Sequence, residues 1–271
     1  LIAIYYQNSF YPLIHRRLLR WTCMLFVLMM AAPLFGQSSP PLLTDDPGTP
    51  GPNNWEINIG MTADRRVAER EFEVPLFDAN YGVGERIQLK FEIPYMLHRA
   101  SSENIRMGLG NSLMGVKWRF YEEKEHEFAI SVYPQFGFNN PTHSVSRGVA
   151  DPGQSLLLPV EITRKFGSFT LEGELGYNFA KRRPDNWIAG FAMGHPITTR
   201  LEFDAELYRN ANVGTSSFSN NTFDFGGHYE LRKSVLLLFM AGRSFRGSSS
   251  GQSQLIGYFG FQFLIGKQQE E

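Results

Sequence analysis

The sequence predicts an all-β fold, an antiparallel transmembrane β-barrel of about twelve strands with short periplasmic turns and longer outer loops. Three observations predict it. An export leader opens the chain. Segments of roughly ten residues alternate apolar and polar side chains with period two. The connections between these segments alternate between short and longer from start to end.

The leader lies within residues 1–36. His15-Arg16-Arg17-Leu18-Leu19-Arg20 is basic, Trp21 to Phe35 is uncharged and largely apolar, and Gly36 is a small residue at the end of that run. Basic, apolar and small in that order is the pattern of a cleaved secretory signal. Residues 1–12 read as sequence upstream of the leader proper. The single cysteine, Cys23, falls in the part expected to be removed, so the mature chain has no disulfide framework and no thiol-based metal site.

Bulk composition agrees with export to a membrane. Net charge is −1 and charged residues make up 20% of the chain, which offers nucleic acid no electrostatic footing. Mean hydropathy is slightly negative. No apolar run is long enough for a spanning helix, whereas a barrel needs lipid-compatible residues on only one face of each strand.

Residues 37–53 are rich in Pro, Gly, Asp and Asn and read as an irregular periplasmic segment, because proline fixes φ and removes a backbone donor. The barrel is expected over 54–266 and a polar tail over 267–271. Strands are predicted near 54–63, 69–80, 86–97, 110–121, 127–138, 155–166, 168–179, 186–195, 200–209, 222–231, 234–245 and 254–265. The clearest is the third, where Ile87, Leu89, Phe91, Ile93 and Tyr95 take one parity and Arg86, Gln88, Lys90 and Glu92 the other. The last two strands are apolar on both parities, which leaves their register open. Longer outer loops are expected at 64–68, 98–109, 139–154, 180–185, 210–221 and 246–253. A soluble barrel would turn its apolar parity inward. The leader, the strand length, and Trp55, Trp118, Tyr95, Tyr177 and Tyr229 on the apolar parity favour the membrane assignment, apolar side out.

Several stretches resemble one family of outer-membrane proteins, labelled putative MetA-pathway of phenol degradation and described as transporters. They are Leu43-Thr44-Asp45-Asp46-Pro47-Gly48-Thr49-Pro50-Gly51-Pro52 with Trp55-Glu56-Ile57-Asn58, then Asn80 to Lys90, Gly108-Leu109-Gly110, Gly115 to Phe120, Leu158-Pro159-Val160-Glu161 and Gly173 to Tyr177. Asn111 departs from the pattern, where Asp is expected. The resemblance implies an outer-membrane barrel that takes up small, aromatic compounds. A shared fold does not by itself assign cargo.

No catalytic, cofactor or metal constellation stands out. The six histidines show no paired metal spacing, and Ser112 lacks the glycine a nucleophile elbow requires two positions on. The candidate site is the inward parity. Strands 3 and 4 carry Lys90, Lys117 and Arg119, with Glu92 among them; strands 7 and 9 carry Glu172, Glu174, Glu202, Asp204 and Glu206. Strand 8 between these rows offers Gly190, Ala192 and Gly194. Such an array either lines a narrow polar channel with a transverse field or fills the interior with compensated charges. Asp45-Asp46 reads either as part of a plug or cation anchor at the periplasmic mouth or, more readily, as a turn capped by its own side chains. The function that follows is a narrow pore or transporter for small aromatic or apolar molecules, without a cofactor and with membrane lipid around it. The alternatives are a closed structural barrel acting through its outer loops and an outer-membrane lipase-type enzyme. Intact mass of the membrane-inserted form is expected to show Gln37 at the N-terminus; a retained Arg16–Arg20 stretch would contradict the leader.

Overall fold

The computed structural model describes residues 40–100, 104–125, 127–214, 219–245 and 253–266. The leader and its cleavage point lie outside the described residues.

Twelve antiparallel staves close into a barrel. They are β1 (Trp55–Arg66), β2 (Glu69–Val83), β3 (Ile87–Ala100), β4 (Arg106–Leu109 and Asn111–Glu123), β5 (Phe128–Val132 and Gln135–Asn139), β6 (Ser155–Phe166), β7 (Phe169–Ala180), β8 (Asn186–Pro196), β9 (Leu201–Asn212), β10 (Ser219–Arg232), β11 (Val235–Phe245) and β12 (Ser253–Ile265). Each pairs with its neighbours in sequence, and β1 pairs with β12 from Trp55↔Ile265 to Arg66↔Ser253, which closes the ring. Two staves are interrupted. β4 breaks at Gly110, whose N–H still donates to Pro94 O at 2.9 Å. β5 breaks at Tyr133-Pro134, where Pro134 has no N–H to give but its carbonyl accepts from Val116 N at 3.0 Å.

The side-chain alternation is inside-out relative to a soluble protein. Outward positions include Ile59, Met114, Val160, Leu175, Phe191, Leu207 and Phe225, all exposed. Inward positions include Asn58, Asp78, Gln88, Lys117, Glu161, Glu206 and Asp224, all buried. Polar-in and apolar-out is the signature of a barrel solvated by lipid. Aromatic residues mark both borders. Trp55 packs on Tyr81 at 4.7 Å between ring centroids, at the end carrying the termini, and Tyr177 packs on Trp187 at 4.7 Å toward the opposite rim.

β11 and β12, whose register the sequence leaves open, are resolved by their ladder. Leu236, Leu238 and Met240 face in and Leu237 and Phe239 face out. Both parities are apolar because the inner wall here is itself apolar: Leu236, Leu238 and Met240 cluster with Leu76 and Tyr258. One expectation is corrected. The first outer connection is not a longer loop over 64–68. β1 and β2 stay paired as far as Arg65↔Arg70, and only Val67 and Ala68 separate the two strands.

Leu175 lies midway along β7, more than half exposed, beside outward Val160 on β6. Leu175→Arg is expected to destabilise the barrel in lipid vesicles by about 2–4 kcal/mol. Thr163→Arg, on the inward parity opposite Glu172, is expected to cost far less; denaturant titration of the refolded protein reads both.

Candidate functional site: a charged lumen crossed by the N-terminal segment

The site begins with the segment ahead of β1. Thr44, Asp45, Asp46 and Pro47 are buried, and the first three bond to opposite inner walls of the barrel. Asp45-Asp46 is therefore more than the self-capped turn favoured by its composition, because both residues also bond to the barrel wall. It does keep turn chemistry, since Gly48 N–H donates to the Asp46 carboxylate.

On the β4 side, Lys117 is fully buried. Its Nζ lies 2.8 Å from Asp45 Oδ1 and 3.5 Å from Glu161 Oε2, donates to the Asp46 carbonyl, and sits 4.6 Å from the Tyr133 ring centroid. An ammonium removed from water needs such an arrangement of partners. Glu161 in turn accepts from Ser131 Oγ at 2.5 Å. Burial pushes the Asp46 carboxyl above the usual carboxylate range, with Lys117 pulling the other way.

On the β9 side, Glu206 accepts the backbone N–H groups of Leu43 at 2.9 Å and Thr44 at 2.5 Å, and Glu174 on β7 accepts that of Asp45 at 3.3 Å. The backbone of an irregular segment has donors unused by any ladder, and these carboxylates take them. Thr44 seats against Gly190, where a methyl group would overlap its Oγ1. The space left by small residues on β8 is thus filled at Gly190 by the segment. Leu42 packs on the apolar cluster of Leu76, Leu236, Leu238, Met240 and Tyr258.

The remaining candidates divide. Lys90 pairs within its own wall, 3.3 Å from Asp78 and 3.1 Å from Glu92. Arg119 lies toward the terminus-bearing rim, 3.6 Å from Glu122 and donating to Glu85 O at 2.7 Å, away from the Lys117 cluster. Glu202 and Asp204 flank Gly194, while Glu172 is half-buried opposite Ala192. Neither Lys117 nor Arg119 forms an ion pair with Glu202, Asp204 or Glu206 among the described residues. The two walls are linked through the segment instead.

Sequence reasoning did not single out Tyr133, Gln88, Asn80, Asp78 and Glu161. They continue the polar wall: Gln88 Nε2 donates to Asn80 Oδ1 at 2.8 Å and to the Tyr133 hydroxyl at 3.3 Å, and Asn58 Nδ2 donates to Asp78 at 3.1 Å. Parity alone marks most of them, since each alternates with lipid-facing neighbours.

Residues 40–261 match the model of the family described as "Putative MetA-pathway of phenol degradation". The chain belongs to this family. No curated protein matches it. Among solved structures, an outer-membrane channel from Pseudomonas putida F1 is similar over 84% of this chain and 100% of its own, with a TM-score of 0.69 and 9% identity. The KdgM porin in complex with disordered oligogalacturonate is similar over 78% of this chain and 98% of its own, at a TM-score of 0.51 and 8% identity. These are likenesses of fold, and the fold they share, with the apolar exterior and polar interior described above, is that of an outer-membrane barrel.

Lys117→Met tests the crossing. It leaves Glu161 and Asp45 buried without their cation, and loss of one partner of a buried pair costs about 3–5 kcal/mol. Thermal unfolding is expected to fall accordingly, and protease sensitivity of residues 40–50 is expected to rise.

Proposed function

We propose that this protein is a narrow outer-membrane channel for small apolar molecules, with the segment 40–53 occupying the passage in this conformation. The observation that carries the reading is the apolar stripe on the inner wall, formed by Leu236, Leu238 and Met240 of β11 with Tyr258 and Leu76. An apolar solute recovers transfer free energy on such a stripe, about 25 cal/mol per Å² of apolar surface covered, which a hydrated ion does not. Leu42 covers part of that stripe, as a solute would. The P. putida neighbour is an outer-membrane channel by its description, and the family's description names phenol degradation, which fits a small aromatic cargo. A non-enzymatic role and export through a leader cleaved after Gly36 belong to the same proposal.

The test is flux. In vesicles, the parent protein is expected to admit a small aromatic solute faster than a sugar of similar size. Leu238→Thr with Met240→Thr is expected to slow the aromatic selectively. Removal of residues 37–46 is expected to enlarge single-channel conductance in planar bilayers. Absence of conductance and flux in both parent and deletion forms would leave the closed structural barrel, and hydrolysis of phospholipid by purified protein would favour the enzyme.

A further inference from the structure

The outer surface carries one rung that lipid contact alone does not explain. Arg65 on β1 stands directly opposite Arg70 on β2, and Arg70 stands directly opposite Arg99 on β3. All three are exposed and share the parity of the lipid-facing residues. Neighbouring strands lie about 4.7–4.9 Å apart, so three guanidinium-bearing side chains rise from a strip roughly 10 Å wide. Like charges directly opposite one another destabilise a ladder. The acids nearby do not relieve them: Asp64 and Glu71 belong to the inward parity, Asp64 is held by Arg66 at 2.8 Å, and among the described residues no carboxylate lies within 4.0 Å of these three arginines.

Height along the barrel says what meets them. From Trp55 in the terminus-side aromatic border to Arg65 is ten residues of one strand. At about 3.3 Å per residue and a tilt of about 40° this spans roughly 25 Å, the full apolar band of an outer-membrane barrel. The arginine rung therefore stands at the outer border of that band. The rung immediately inside it, Ala63↔Phe72↔Leu97, is apolar and outward. A ligand here meets acyl-chain surface below and three fixed cations above.

We propose that Arg65, Arg70 and Arg99 bind the phosphate groups of lipid A, the phosphorylated glycolipid of the outer leaflet, with its acyl chains against Phe72 and Leu97. Guanidinium groups match phosphate oxygens in paired hydrogen bonds, and a phosphate carries the charge that converts mutual repulsion along the rung into attraction. The site rests on the outer-membrane placement and is independent of whether the barrel conducts, because it faces away from the lumen.

The experiment uses the mature chain refolded from lipid-free material in detergent. Native mass spectrometry and thermal unfolding are followed on adding bis-phosphorylated lipid A, dephosphorylated lipid A, or phosphatidylglycerol. Bis-phosphorylated lipid A is expected to bind and raise the melting temperature of the parent. In R65Q/R70Q/R99Q its affinity is expected to fall by about tenfold or more, while the melting temperature without lipid stays level or rises as the repulsion is removed. If the triple variant does not refold, R70Q, at the centre of the rung, carries the same comparison. The proposal is overturned if the variants keep parental affinity, if dephosphorylated lipid A binds equally well, or if phosphatidylglycerol does, which would make the rung a general anionic-lipid contact.

Discussion

In a bilayer the hydrocarbon offers no water to a backbone N–H or C=O, so a strand in lipid must find partners on both edges. For this chain that condition is met where the first strand meets the last, along the ladder from Trp55↔Ile265 to Arg66↔Ser253. Once the ring is closed, the pleat decides the rest. Alternate residues must face lipid or lumen, and every polar residue of a strand interior is driven inward. The interruptions at Gly110 and Tyr133-Pro134 are tolerated because the carbonyls of Pro94, Pro134 and Pro159 remain in use, accepting from Gly110, Val116 and Tyr133.

This dependence on one period explains what could be read from the sequence. Strand number, strand placement and the lipid-facing parity were legible because one face must be apolar and the other need not be. β11 and β12 were illegible for the same reason in reverse: their inner wall is apolar as well, through Leu236, Leu238 and Met240, so alternation vanishes and only the ladder sets register. The β1–β2 hairpin was misread because the stretch from Asp64 to Ala68, opening on three charged residues, looks like loop, yet at the edge of the membrane a strand leaves the band that demands apolar side chains and can continue in polar residues.

The lumen was legible as a set of charges but not as a set of contacts. Parity placed Lys117 and the acids of β7 and β9 on one surface, and position along the strand carried no hint that Lys117 would be completely buried while Arg119, two residues on, would reach the rim. Tyr133 escaped notice because it lies at a strand break, where the pattern of two is interrupted. Burial inside a barrel depends on what fills it, and the filler here comes from residues 42–47, a stretch with no periodicity to read.

Why that stretch crosses the lumen follows from the division of charge between the walls. The acidic side, Glu174 and Glu206, needs donors; the basic side, Lys117, needs acceptors beyond Glu161. An irregular backbone supplies both within a few residues. The N–H groups of Leu43, Thr44 and Asp45 turn to the carboxylates, and the Asp45 carboxylate with the Asp46 carbonyl turns to the ammonium. A helix or strand could not do this, since its N–H and C=O groups are already spent on its own ladder. The prolines at 40, 41, 47, 50 and 52 keep the segment from forming one. The transverse arrangement of charge that could polarise a channel is thus also what orients the segment lying across it. Lys117, Glu174 and Glu206, which make the two walls polar, are the same residues that hold the segment in place. The apolar stripe under Leu42 stands apart from those charges: Leu42 meets it by apolar packing, and the contact neutralises no charge.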